Sequence, residues 1–172
     1  MACNTAIAAV VRDCESNVGG VKRVLVANFD DVEAVTLTSN VVTAVTMATG
    51  KTFTEIYVRP EVSNVTSSAQ YNDAGDYAGE SAVLALVINR QTAGKRETVD
   101  ALSKNDLRVI YQDGNGLWWY IGNDRPVRRS GGDAVTGTAI TDTNAYNVEL
   151  TGHDNALPLS VDPTVIAGIL PA

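Results

Sequence analysis

The chain has 172 residues, 13 of them basic and 20 acidic, for a formal net charge of −7; 45% of its residues are hydrophobic and 19% charged. That length suits one compact domain over residues 1–172, and the acidic balance repels phosphate, which disfavours tight nucleic-acid binding. No apolar run reaches the length of about eighteen residues that a membrane helix needs, and Met1-Ala2-Cys3-Asn4-Thr5 lacks the basic start and apolar core of a secretory signal, so a soluble product made in a bacterial cytoplasm, with no membrane partner, is expected.

Val, Ala, Leu and Ile interleaved with Thr suit pleated, half-buried surfaces, and the expected class is mainly β. After an extended N-terminal segment of about residues 1–18, residues 21–29 are rich in β-branched side chains between Gly19-Gly20 and Asp30-Asp31, and they read as the first strand. Residues 34–51 place Val35, Leu37, Val41, Val42, Val45 and Met47 nearer to period two than to period 3.6, which predicts one or two short strands. The strand from Thr52 runs into Arg59-Pro60, where proline removes a ladder donor, so an edge or an end is expected there.

Residues 61–80 are polar and turn-rich yet carry Val62, Val65, Tyr71 and Tyr77, and they read as a long loop or arm with apolar anchors. The nearly continuous apolar run 81–88 predicts a central strand buried on both faces. The one helix expected covers residues 93–104, with Val99 and Leu102 on one face and i,i+4 charge pairs Arg96–Asp100 and Asp100–Lys104. Residues 107–111 and 117–121 flank Asp113-Gly114-Asn115-Gly116 and predict a hairpin. Residues 146–151 alternate as the final strand, and the apolar tail of about residues 158–172, with Pro158, Pro163 and Pro171, is expected to lie extended. The order predicts an antiparallel β-sandwich or barrel with one short flanking α-helix.

No catalytic, cofactor or metal constellation is apparent. His153 is the only histidine and has no flanking sequence that marks a nucleophile or metal partner. Cys3 and Cys14 have no further ligands for a zinc site and read as ordinary thiols. The carboxylates, including Asp142, read as turn residues and surface charge, and Asp113-Gly114-Asn115-Gly116 lacks the distal Glu of a calcium loop. Neither Gly19-Gly20 nor Gly131-Gly132 belongs to a phosphate-cradling motif. Trp118-Trp119-Tyr120 is either core packing or an aromatic platform for sugars or bases, and strand alternation sends at least one ring inward. Arg125, Arg128 and Arg129 form a basic cluster that either pairs with an acidic patch on a neighbouring copy or lies solvated.

Residues 102–110, Asp113-Gly114-Asn115-Gly116-Leu117-Trp118, Ile121-Gly122, Thr136-Gly137-Thr138-Ala139, Asp142, Asn144-Ala145-Tyr146 and Leu150-Thr151-Gly152 resemble virion proteins of phages infecting Bacteroidetes-type bacteria. Cys14 followed by Val18-Gly19-Gly20-Val21-Lys22 is similar to the same group, whereas residues 61–79 carry no matching motif. The resemblance implies a tail tube subunit: a barrel or sandwich with a flanking helix, hexameric stacked rings, an arm reaching a neighbour and an acidic lumen through which genomic DNA passes without specific binding. Its partners would be copies of itself and other phage tail proteins, its place the virion, and its activity non-enzymatic. Inter-subunit contacts are expected from Arg59, Val62, Val65, Tyr71 and Tyr77 of the arm, from Arg125, Arg128 and Arg129, and from Val165, Ile166, Ile169 and Leu170 of the tail. A capsid decoration or head-fibre protein, and a carbohydrate-binding module built on Trp118, Trp119 and Tyr120, are the alternatives.

Overall fold

The computed structural model describes residues 6–12, 14–59 and 61–171, so Cys3 and Pro60 lie outside the described residues. Among the described residues twelve strands and two helices follow in the order β1 (Val21–Asn28), β2 (Val32–Thr38), β3 (Val41–Met47), β4 (Thr54–Ile56), β5 (Asn64–Tyr71), β6 (Tyr77–Asn89), α1 (Ala93–Lys104), β7 (Leu107–Asp113), β8 (Trp118–Ile121), β9 (Arg128–Gly131), β10 (Ala134–Val135), β11 (Ala145–Asp154), β12 (Leu159–Val161) and α2 (Pro163–Ile169). A 3-10 turn at Phe29–Asp31 joins the first two strands.

The mainly β expectation holds, but the closed barrel does not form. Seven strands make one sheet in the order β2-β3-β12-β8-β7-β1-β4, and a second sheet runs β10-β11-β6-β5 with β9 also paired to β11. Nor is every pair antiparallel, because β12 lies parallel to β3. The seven-stranded sheet is mixed for a topological reason: the chain returns from β11 to insert β12 between β3 and β8.

Side-chain alternation along β1, β7 and β8 divides the interior into two clusters. Val24, Val26, Val109, Tyr111 and Ile121 join Leu84, Leu86, Val148 and Leu150 of the five-stranded sheet and Val99 and Leu102 of α1. Leu25, Ala27, Ile110, Trp118 and Tyr120 face the other way, toward Val42, Phe53, Val165, Ile166 and Ile169. The doubly buried strands are therefore β1 and β7. The expectation for residues 81–88 is corrected: in β6 Leu84, Leu86 and Ile88 are buried while Val83, Ala85 and Val87 are half-buried, so a continuous apolar run here covers one core face and a partly open outer face.

Two more expectations change. The tail from Pro158 is not extended throughout: Asp162 caps α2 by accepting from the Thr164 backbone N–H at 2.9 Å and its hydroxyl at 2.7 Å, and Pro163 occupies the first helical position, where its missing N–H costs nothing. The same two Thr164 hydrogen bonds, the hydroxyl's first, hold the Asp162 carboxyl below its usual range. Residues 61–80 are likewise not a loop but most of the β5–β6 hairpin. Residues 32–47 form the β2–β3 hairpin, turned by Ser39 and Asn40 at φ 52° and 65°, the paired left-handed residues of a two-residue turn.

α1 spans the expected residues, with Thr92 as its cap and Lys104 paired to Asp100 at 2.6 Å. The Asp100 carboxyl is lowered first by its hydrogen bond from Lys104 and then by that residue's charge and Arg96's. The β7–β8 hairpin also forms as expected, and Asp113 builds its turn: one carboxylate oxygen accepts from the backbone of Asn115 and Leu117 at 2.9 Å each, and the other from the Trp119 indole at 2.9 Å. A Cβ on Gly114 would lie 2.3 Å from the Val18 carbonyl oxygen, so glycine there admits the root of the N-terminal segment, which is tied by Val18 N–H to Asn115 at 2.7 Å.

Candidate functional site

Two features stand out from the packed body, an arm and a cleft. The arm is the far end of the β5–β6 hairpin. β11 supports β6 as far as the pair Asp154–Glu80, and beyond it Gln70 faces Gly79 and Tyr71 faces Tyr77 in a two-stranded ribbon with no third strand among the described residues. Gly79 makes that departure possible: at φ 118° a Cβ would sit 2.4 Å from the Asp154 carbonyl oxygen. Three residues of ribbon extend about 10 Å before the turn, where the Asn72 side-chain oxygen accepts from the backbone of Ala74 at 3.0 Å and Asp76 at 2.9 Å. At the tip Tyr71 and Tyr77, 67% and 51% exposed, meet edge to face with ring centroids 6.1 Å apart. Asp73 and Asp76 lie in the turn between them, Asp76 accepting from the Asn72 side chain at 3.4 Å, and the Tyr77 hydroxyl donates to Glu80 at 3.2 Å. Partial desolvation first, and then the Glu80 charge, raise the Tyr77 phenol above its ordinary value.

The cleft lies on the opposite side of β11 from β6 and is lined by Arg125, Pro126, Arg128, Arg129, Ser130, Thr151 and His153. Its arginines are held differently. Arg128 grips Asp106 with two bonds of 2.6 and 2.8 Å, which lower the Asp106 carboxyl and raise the Arg128 guanidinium. Arg129 donates to Ser103 at 2.7 Å and to the carbonyls of Gly131 and Gly132 at 3.0 and 3.3 Å. The exposed Arg125 side chain makes no hydrogen bond or ion pair among the described residues, and its backbone is placed by Asp154, whose carboxylate accepts from Gly122 at 2.8 Å, Asp124 at 3.0 Å and Arg125 at 3.4 Å.

The other expected contact residues divide sharply. Arg59 and Val62 are exposed beside the start of β5, and Val65 packs against the first core cluster. Val165, Ile166 and Ile169 are buried in the chain's own second cluster, because α2 folds back on the sheet, and as folded here these three offer no free surface to a neighbour, while Leu170 is packed against the cluster but half-exposed. Trp118 and Tyr120 are buried and Trp119 is half-buried with its indole bonded to Asp113, so these rings form no exposed sugar platform. Arg108 donates to the Tyr120 hydroxyl at 2.8 Å and stacks 4.1 Å over Phe29. Burial raises the Tyr120 phenol, a rise opposed by Arg108.

His153 and Cys14 are exposed, and among the described residues no group of three or more His, Cys, Asp or Glu side chains is arranged to hold a metal ion. Sequence reasoning expected the chain ends to bury Val and Ile residues against neighbouring copies but did not single out Ile7 and Val10, which are 99% and 97% exposed on the N-terminal segment beside the exposed Val11. The signal was there in Ile7-Ala8-Ala9-Val10-Val11, an uncharged apolar run without a neighbouring run to pair with. No family model, curated protein or solved structure matches the chain in comparisons with known proteins.

Proposed function

We propose that this chain is a non-enzymatic structural protein that assembles with copies of itself, as the subunit of a bacteriophage tail tube carried in the virion. The observation that supports this reading best is the set of apolar and aromatic side chains held away from the body: Ile7, Val10 and Val11 on the N-terminal segment, and Tyr71 and Tyr77 on a ribbon that no third strand supports. A soluble monomer has no use for such groups, whereas a neighbouring copy would bury them. In this reading the two sheets form a sandwich, their free edges at β2, β4 and β5 are covered by neighbours, and the net charge of −7 gives a lumen that lets DNA slide without sticking. Other tail proteins would meet the ends of the tube.

Negative-stain electron microscopy of the purified chain, with its mass in solution at rising concentration, tests the proposal. Hexameric rings or hollow tubes are expected. Closed trimers would replace it with a capsid decoration or head-fibre role, and a monomer at every concentration would overturn self-assembly.

A further inference from the structure

The arm and the cleft are complementary in charge and chemistry. The tip carries Asp73 and Asp76 in its turn, the half-buried Glu80 at its root and two exposed tyrosines. The cleft presents guanidinium groups, of which Arg125 has no side-chain partner among the described residues and Arg128 is neutralised by Asp106. Guanidinium groups pair with carboxylates and also stack on phenol rings, so both features of the tip find their counterpart in the one cleft.

We infer that the tip of the β5–β6 hairpin of one copy seats in the Arg125 cleft of the next. This contact rests on the self-assembly reading above and names the surfaces that carry it. Within one chain the tip points away from the cleft: β11 separates β6 from β9, and the ribbon carries the tip about 10 Å past the end of β11, while Arg125 stays at that end, its backbone held by Asp154. The partner must be a second copy, and two different patches meeting head to tail generate a ring when the rotation closes. Tyrosine and arginine are, with tryptophan, the side chains enriched at energetic centres of interfaces.

The test uses reciprocal charge reversal in the full chain, read by sedimentation velocity and negative-stain microscopy. Arg125→Glu reverses the charge at the cleft position that has no side-chain partner among the described residues, without touching the bonds of Arg128 or Arg129, and Asp73→Arg/Asp76→Arg reverses the tip. Each variant alone is expected to associate at least tenfold more weakly than wild type. Mixed in equal amounts they are expected to recover assembly as alternating copies, because the wild-type tip of the first fits the wild-type cleft of the second and the two reversed surfaces fit each other. Asp73→Arg alone, at a side chain with no hydrogen bond among the described residues, serves if the double variant does not fold. If wild type assembles and the variants assemble equally well, or if each variant folds and weakens but the mixture does not recover, the contact is wrong while the tube reading stands. If Arg125→Glu assembles normally but loses binding of inorganic phosphate, the cleft is a small-anion site and the contact is wrong. A wild-type monomer overturns both.

Discussion

Removing the Asp154 carboxylate should loosen the loop that carries Arg125. In Asp154→Ala the Gly122 N–H, in a buried residue and bonded at 2.8 Å, loses a charged acceptor, which costs about 2 kcal/mol. The Asp124 N–H, bonded at 3.0 Å on an exposed residue, is taken over by water, for about 1 kcal/mol more. The Arg125 bond is long at 3.4 Å and adds little. Glu80 stands opposite Asp154 in the ladder, and relief of that repulsion returns a few tenths of a kcal/mol. The expected loss is about 3 kcal/mol, or roughly 6–12 °C in Tm for a domain of this size, while Asp154→Asn, which keeps one acceptor oxygen, should lose about half of that. Urea denaturation followed by tryptophan fluorescence measures the loss, and amide exchange at residues 122–125 should speed up in step. If both variants remain within about 0.5 kcal/mol of wild type, Asp154 does not hold the loop, and the placement of Arg125 needs another cause.

Ile169→Ala should destabilise the isolated chain by about 2–4 kcal/mol, because it removes a fully packed side chain of the second cluster; an unchanged unfolding midpoint with loss of assembly instead would return the tail to inter-subunit duty. Burial, and secondarily the Asp113 charge, push the Tyr111 phenol up to about 12 from 10.0. The unfolded phenol ionises first, so its contribution is complete below pH 10 and lost as pH rises through 12. The stability difference between wild type and Tyr111→Phe should therefore shift against wild type by about 2 kcal/mol over that window, and a difference independent of pH would refute the burial argument.

What could be read from the sequence was local. Asp113-Gly114-Asn115-Gly116 fixes a hairpin through its own turn chemistry, and α1 has its cap, its charge pair and its buried Val99 and Leu102 between Thr92 and Lys104. The α2 signal was local as well, since Asp162-Pro163-Thr164 is a cap followed by proline at the first helical position, but the neighbouring prolines argued for extension. β5 escaped because Asn64–Tyr71 is an edge strand with little apolar side to show, and polar residues at an edge look like a loop until a partner strand is known. β9 and β10 are four and two residues long, and they exist only because β11 offers them a ladder. The arginine cluster was visible as a cluster, but the groups that place it were not: Asp154 and Asp106 lie 29 and 22 residues from the arginines they hold.

Charge ties these features to assembly. Copies of a chain with net charge −7 repel one another at long range, yet that repulsion is screened beyond about 8 Å at physiological ionic strength, whereas a carboxylate–guanidinium contact acts at about 3 Å and is screened less. An acidic subunit can therefore keep a phosphate-repelling surface and still associate, provided its positive charge is concentrated where copies touch and neutralised elsewhere. Arg23 on Glu55, Lys51 on Asp31 and Lys104 on Asp100 follow the second half of that rule, whereas Lys22, Arg90 and Arg96, away from the cleft, have no ion pair among the described residues. Arg125, set beside a cleft and without such a partner among the described residues, follows the first.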